Sequence, residues 1–590
     1  MRVDGRPAKR ESAALARPSR AIGSNFLGRQ PDCTSQDKKC YILSGEGGLA
    51  VDQHARTLHV NSAMTVFRTR TIVAALLAVA LVSCSSIVEP ASNEIPLAEL
   101  RDKIAGGWAG QMIGVTFGWP TEFRHLEKII AEEDLPQWDP DMVENALRQD
   151  DLYVDMTFAQ VLDDKGLDAT TEDFGAMFRD AKYRLWHANL AARRALRRGV
   201  PATLSGTPKY NAHANDIDFQ IEADFVGLMC PGLPQASNDL CNRAGRVMNY
   251  GDGIYGGMFV SCMYAAAFFE SDPERLVEAG LACLPPESPY GMTIADVLAW
   301  SKEHPEDWIT VWGLIEDKWN GREPCPIGAG QPFNIDAKIN GAYVALGMLY
   351  GEGDFGKTMT ISTRCGQDSD CNPASALGIL GVVMGLEGIP DEYKSGIEKI
   401  ADETFSYTNY SFRTIVDSTY DRAIAMAERH GGRVDGDRLV VPVQDAIPAT
   451  LDIWDDYGSP VERIAVADPR WSWKGEWAET PMRRRSGPEY FVKTSSQKGA
   501  EALIEFEGTG AIITASFMPT GGQADIYLDG ELTGTVDAYP DEDSFKRSHA
   551  LWHDYYLEDG KHTLRVVVRG EPYQDSAGSD IQLWDLVVFR

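Results

Sequence analysis

The sequence predicts a multi-domain chain in which a large all-α domain is followed by an all-β sandwich. Three observations carry this. The chain has 590 residues, more than one hydrophobic core normally serves. From about Ile95 to His430, apolar residues recur at helical spacing and β-branched alternation is scarce. After Gly432 the texture changes to short alternating runs set off by turn dipeptides.

The helical stretches are Leu97 to Met112, Thr157 to Leu162, Met258 to Phe269, Ala337 to Leu349, Ala374 to Met384 and Ile415 to Arg429. Gly, Pro and Asp clusters separate them. The strand-like runs are Ala502-Phe506, Ala511-Phe517, Ala524-Leu528, His562-Arg569 and Ile581-Phe589, with Asp529-Gly530 and Asp559-Gly560 as turn signals. Their spacing near ten residues suggests a sandwich over 471–590, joined to the helical domain (96–432) by a connector, 433–470.

The N-terminal part reads as a targeting region. From Met64 the chain has Arg68 and Arg70, then a mostly apolar run from Thr71 to Ser83. This run is shorter than the roughly 20 residues a spanning helix needs. Residues 64–83 therefore fit a secretory signal peptide. The run ends in Leu81-Val82-Ser83-Cys84, which resembles a bacterial lipobox. The resemblance implies lipidation at Cys84, a linker over 84–95 and residence in the bacterial cell envelope. Residues 1–63 are Arg-, Ser- and Gly-rich without periodicity, and read as a start-site artefact or a disordered extension.

Formal net charge is -31. A chain this acidic repels phosphate backbones and anionic lipid, so nucleic acid is excluded as a partner and membrane contact is expected through the lipid anchor only. Cys230 and Cys241 bracket a short Pro/Gly-containing loop and are candidates to pair in an oxidising compartment. The absence of Cys-x-x-Cys argues against a zinc ribbon.

Four stretches concentrate carboxylates. In GGWAGQMIGVTFGWPTEF, Gly106, Gly110, Gly114 and Gly118 form one helix stripe that admits a neighbouring backbone. Pro120 ends that helix, which leaves Glu122 at its exit. In RQDDLYVDMTF, Asp150 and Asp151 are adjacent and Asp155 lies one turn on. Such a pair suits either a helix N-terminus or a cation. In HANDIDFQIEADF, Asp218 and Glu222 stand four apart, and Asp252 and Tyr255 follow among glycines. All four are candidates for substrate binding. In RCGQDSDCNPASALG, Asp368 and Asp370 form an Asp-x-Asp turn before a helix of small residues, a pattern able to aim two oxygens at one hard cation.

Taken in order, these pieces resemble the ADP-ribosylglycohydrolase family over Ile95 to Arg429. That family has a glycine-rich first helix followed by Glu, an early Thr/Ser-Asp-Asp, and a late Gly-x-Asp-Thr/Ser-Asp-Thr/Ser. The resemblance implies metal ligands at Asp150, Asp151, Asp368 and Asp370, with Gln149 and Cys371 where the family has hydroxyls. It implies Mg2+ as cofactor, or Mn2+ or Ca2+, as one or two ions. Glu122, Asp151 and Asp368 are then the expected catalytic groups, Glu122 as acid/base or substrate-orienting residue. Gln149, Cys371 and Gln367 depart from the family pattern; a thiol in particular suits Mg2+ poorly. The last 120 residues resemble a galactose-binding-like sandwich, in which Trp471, Trp473, Trp477 and Trp552 either stack on sugars or fill the core. The leading expectation is an exported, lipid-anchored, metal-dependent glycoside hydrolase acting on a carbohydrate or ribosyl-type substrate. The alternatives are an ADP-ribosyl-acceptor hydrolase and an inactive glycan-binding lipoprotein.

Overall fold

The computed structural model describes residues 91–590, apart from 322, 455 and 483–489. The signal-like segment, Cys84 and residues 1–63 lie outside the described residues.

Local sequence sets the helix ends. Thr170 and Ser411 each close a capping box over the helices Thr171–Asp180 and Phe412–Arg429. Pro at the first turn starts Pro234–Gly245, Pro273–Ala282 and Pro289–Glu303. The helices Asp252–Ala267, Ala337–Gly351 and Cys371–Gly388 are buried on nearly every face. A helix apolar all round has to sit at the centre of its domain, and these three form that centre. The first helix, Leu97–Gly118, packs along Cys371–Gly388 and stops where Pro120 predicts, in a short 3-10 turn, Trp119–Thr121.

The stretch read from sequence as a connector carries three strands. Arg438–Pro442 pairs antiparallel with Ser92–Pro96 on one side and Arg433–Asp435 on the other, so the two ends of the helical region are tied together. Pro460–Ala465 pairs with the C-terminal strand Ile581–Phe589 and belongs to the sandwich.

All five strand-like runs lie in sandwich strands. One sheet has the order Glu531–Asp537, Gly522–Leu528, Gly560–Pro572, Glu501–Gly508, Ser472–Lys474. The other runs Lys546–Asp554, Gly510–Phe517, Ile581–Phe589, Tyr490–Ser495, Ala478–Met482, with Pro460–Ala465 beside Ile581–Phe589. The Asp529-Gly530 turn has positive φ at both residues, 52° and 90°, as a two-residue hairpin of type I′ requires. Of the tryptophans, Trp471 is buried in the core and stacks on Trp473, which contacts Trp477 edge-on; Trp552 is half-buried against the same core.

The sandwich is bolted to the helical region by an arginine row on and just after the helix His187–Arg197. Arg194 and Arg198 both reach the Asp537 carboxylate, at 3.0 and 2.7 Å, and Arg198 also holds Asp541 at 2.7 Å. Buried Arg193 pairs with Glu542. From the other side, Arg463 binds Asp585 and donates to the carbonyls of Pro326 and Ala329 at 2.7 and 2.8 Å.

Among the described residues the disulfide joins Cys262 to Cys283, not Cys230 to Cys241. Cys230 and Cys241 are both buried free thiols; Cys241 lies 3.0 Å from the Ser261 hydroxyl, on a helix–helix contact instead of a loop. Spacing along the chain does not determine which cysteines pair.

Candidate active site

The glycine stripe builds the site. A Cβ on Gly106, Gly110, Gly114 or Gly118 would fall 2.2, 2.0, 2.3 or 2.0 Å from the carbonyl oxygens of Gly381, Leu377, Pro373 and Ser369. Each step of four along one helix is matched by a step of four back along the other. The two backbones therefore run antiparallel in a fixed register that places Gly118 against Ser369, between the two aspartates of the Asp-x-Asp turn. Thr121 extends the contact with a 2.8 Å hydroxyl bond to Ser369. The amide of Phe123 donates to the Gln367 carbonyl at 3.0 Å, and the amide of Gln367 donates back to the His125 carbonyl at 3.3 Å. Glu122 is thus held beside the turn, where its charge acts on Asp368.

The turn itself needs left-handed backbone at Gly366 and Gln367, with φ of 82° and 54°. Gln367 sits there without strain relief from its type, but its side chain is used: Oε1 accepts from the Asn334 amide at 3.2 Å. Asp370 then precedes the helix Cys371–Gly388.

Asp150 and Asp151 open the helix Asp150–Lys165, preceded by Gln149 in extended conformation. Gln149 offers no side-chain cap; its backbone carbonyl accepts from the amides of Leu152 and Tyr153. Asp151 is 1% exposed and Asp370 4% exposed, and each keeps one buried oxygen, Oδ1, without a hydrogen-bond partner. The Cys371 thiol donates to Asp151 Oδ2 at 3.6 Å. Ligand atoms of Asp368, Asp370 and Cys371 lie within 4.8 Å of one another.

Burial dominates the electrostatics. It pushes the Asp151 carboxyl well above the usual range, and the charges of Asp370 and Asp150 push it further. Asp370 is raised by burial and then by Asp368 and Asp150. Asp368 is raised by burial, with Glu122 and Asp151 adding to it. Burial and the surrounding carboxylates also raise the Cys371 thiol, which keeps it a protonated donor instead of a thiolate. Like charges this close and this dry are stable only if protonated or bridged by a cation.

Of the candidate substrate-binding residues, Asp218 and Glu222 are brought to this cluster. Asp218 accepts from the amides of Asn189 and Ala188 at 2.9 and 3.3 Å, and Glu222 accepts from the Asn189 side chain. Burial lifts Asp218 to about 7, with Asp150 among the charges that contribute. They do not share a long helix face: the helix is one turn, Asp218–Ile221, and Glu222 ends it. Asp252 and Tyr255 are placed elsewhere. Asp252 starts the helix Asp252–Ala267 and accepts from the Tyr290 amide at 3.2 Å. The Tyr255 hydroxyl is taken up by the chain after the helical region, donating to the Thr450 carbonyl at 3.1 Å and accepting from the Asp452 amide. The glycines around them serve helix packing: a Cβ on Gly253, Gly256 or Gly257 would meet Ala214, Gln220 or Phe219.

Sequence reasoning missed the sandwich's part in the site. Lys546, on the strand Lys546–Asp554, lies over the Trp186 ring at 4.1 Å and contributes charge at Asp150. Phe123, Phe333 and His187 line up beside them, with ring centroids 5.0 and 5.7 Å apart. Nothing in the periodicity of either domain links Lys546 to Asp150, 396 positions earlier. Behind the site, Asp155 and Asp224 form a second buried acidic pair, with Asp224 held by Gln111 at 2.6 Å.

Comparison with known proteins gives one curated relative, matched over a short stretch. The "A type blood alpha-D-galactosamine galactosaminidase" of Flavonifractor plautii is 28% identical over 109 residues, 18% of this chain and 9% of that protein. The chain thus matches about a tenth of that relative's length. Among solved structures, an "ADP-ribosylglycohydrolase-related protein complex" is 16% identical with a TM-score of 0.33, covering 56% of this chain and 99% of that one. A carbohydrate-binding module in complex with calcium and xylotriose is 7% identical with a TM-score of 0.16, covering 22% of this chain and all of that one. The family model described as ADP-ribosylglycohydrolase matches residues 96–431, over half the chain, with the glycine helix, Asp150-Asp151 and the Asp-x-Asp turn inside its span. The chain therefore belongs to the ADP-ribosylglycohydrolase family, a family of glycohydrolase type, and follows its helical domain with a C-terminal region of antiparallel sheets.

Proposed function

We propose that this protein is a metal-dependent hydrolase of a glycosidic bond in a carbohydrate or ribosyl-type substrate. The observation that carries the reading is the convergence of Asp151, Asp368 and Asp370, buried and mutually raised, with unpartnered oxygens on Asp151 and Asp370. Orphaned buried carboxylate oxygens fit a hard divalent cation such as Mg2+ or Mn2+. Asp150, Asp151, Asp368 and Asp370 would hold it, and the Gln149 carbonyl group is near enough in sequence to add a neutral oxygen. Cys371, a thiol donating to Asp151, serves the carboxylate better than the ion. When bound, the cation supplies Lewis acidity at a substrate oxygen.

The chain's own residues do the rest. Glu122, carried by the 121–125 loop next to Asp368, is the group that moves a proton at the reacting oxygen or water. Asp218 and Glu222, held by Ala188 and Asn189, would accept from sugar hydroxyls. Lys546 sets its charge over the Trp186 ring, and Phe333 stacks on the neighbouring His187. Export and lipidation at Cys84 belong to the same proposal, supported by Arg68, Arg70 and the apolar run to Ser83. Cys84→Ala is expected to move the protein from the membrane to the soluble fraction.

The test is a substrate panel read with and without chelator. Reducing-sugar release from glycans, abolished by chelation and lowered at least about a hundredfold by Asp368→Asn, supports the proposal. ADP-ribose release from a modified peptide under the same controls would move the substrate to that acceptor class. Hydrolysis that survives both chelation and Asp368→Asn would sink the metal premise.

A further inference from the structure

A second group of ligand-type side chains lies under the sandwich, outside the aspartate cluster. His187 begins the helix His187–Arg197, His213 and Asp216 stand in the loop before Asp218–Ile221, and Cys325 lies in the loop that leads to Ala337–Gly351. One ligand atom from each falls within 4.8 Å of the others. Asp216 Oδ2 is 2.8 Å from His213 Nδ1 and 3.6 Å from His187 Nδ1, and Cys325 Sγ is 3.3 Å from the same His213 nitrogen.

Hydrogen bonding alone does not settle this arrangement. A Cys-His-Asp relay needs thiol and carboxylate on opposite ring nitrogens, whereas here both face Nδ1 of His213. The thiol also hydrogen-bonds Asp216, so a thiol and two imidazoles converge on one carboxylate and none is passed a proton by another. The His187 Nδ1 and the second Asp216 oxygen have no hydrogen-bond partner, and the Asp216 side chain is fully buried. Its closest charged neighbours include Glu323, another buried acid.

We infer that His187, His213, Asp216 and Cys325 form a zinc site. Two imidazoles, a thiolate and a carboxylate are the ligand set zinc prefers and Mg2+ does not. Zinc bonds of about 2.0 to 2.3 Å put tetrahedral ligands about 3.3 to 3.6 Å apart, and the observed separations bracket that range. A dication with one thiolate, one carboxylate and two neutral imidazoles is also neutral overall, which removes the unbalanced Asp216 charge. With four protein ligands the coordination shell is closed, so the ion is structural. It ties together a helix start and two loops that the sandwich covers: Tyr555 donates to the carbonyls of Ala212 and Pro324 at 3.3 and 3.5 Å, and the His549 ring lies 5.3 Å from that of His213. The inference stands apart from the proposed hydrolysis and does not need it.

The test uses the full purified chain. Elemental analysis after exhaustive dialysis is expected to find one zinc per chain, retained in Asp368→Asn and reduced at least tenfold in His213→Ala. Cobalt added to the zinc-stripped protein is expected to give a thiolate-to-cobalt charge-transfer band that Cys325→Ser lacks. A wild-type chain that stays folded, holds no zinc and gives no cobalt band overturns the assignment, whatever the variants do. So does a band that survives Cys325→Ser, or zinc lost in Asp368→Asn and kept in His213→Ala.

Discussion

Gly118→Ala tests the glycine register where it meets the chemistry. The new Cβ would stand 2.0 Å from the Ser369 oxygen and 2.4 Å from Asp370 Cα, both backbone atoms that cannot rotate aside. Ordinary contact begins at 3.4 Å, so the two backbones must part by about 1.4 Å. Overpacking of this kind costs about 1–3 kcal/mol, against which alanine's better helix propensity returns at most about 1 kcal/mol. The expected result is a melting temperature lower by a few degrees. A larger effect falls on the site, because a misplacement near 1 Å costs about a hundredfold in a positioned reaction. The Asp-x-Asp turn moves with Ser369, so the stabilisation produced by Mg2+ or Mn2+ in a thermal-shift titration should largely vanish. Gly313→Ala is the matched control. Gly313 lies in the helix Trp308–Trp319 with nothing within 4 Å of its would-be Cβ, so alanine should stabilise by about 0.5–1 kcal/mol. If Gly118→Ala melts with the wild type and keeps the full metal response, the helix contact does not position the turn and the reasoning fails.

Other perturbations have definite signs. Burial raises Asp224 to about 8, so its contribution to stability is full below the unfolded pKa near 4 and is lost as pH rises toward 8, by at most about 1.4 kcal/mol per pH unit. Asp224→Asn removes that loss; its melting temperature should gain on the wild type steadily from pH 5 to pH 8, and a constant offset would contradict the protonated reading of this acid. Arg198→Ala leaves the Asp537 and Asp541 carboxylates with fewer cations at a mostly buried interface. A loss of about 2–4 kcal/mol is expected, read as earlier proteolytic release of the sandwich, while equal protease resistance would show that the arginine row is not what holds it.

Much of the fold is legible in the sequence because its signals are local. Helical spacing gives Leu97–Gly118 and Phe412–Arg429, Pro120 gives the first helix its end, and Asp529-Gly530 gives a hairpin. The spacing of four between glycines announces a close approach but not what approaches; that Gly118 meets Ser369 is a tertiary fact. The carboxylate pairs are readable from their order along the chain. A tyrosine beside glycines reads the same in sequence whatever its hydroxyl meets, so the bond from Tyr255 to the Thr450 carbonyl was not legible there. His213 and Cys325 are 112 residues apart and meet only once two loops are folded against each other, and no periodic pattern carries that.

The strand pairing between Ser92–Pro96 and Arg438–Pro442 bears on where this protein can be cut. The family match ends at residue 431, but the described chain through Arg590 belongs to one compact unit. Truncation at the similarity boundary would strip the first strand of its partner, leave Arg193 without Glu542 and uncover Ala212 and Pro324. The span recognisable by descent is therefore shorter than the span that holds together mechanically. Transplanting the helical part alone into another protein would carry the aspartates without Lys546, whose charge acts on Asp150.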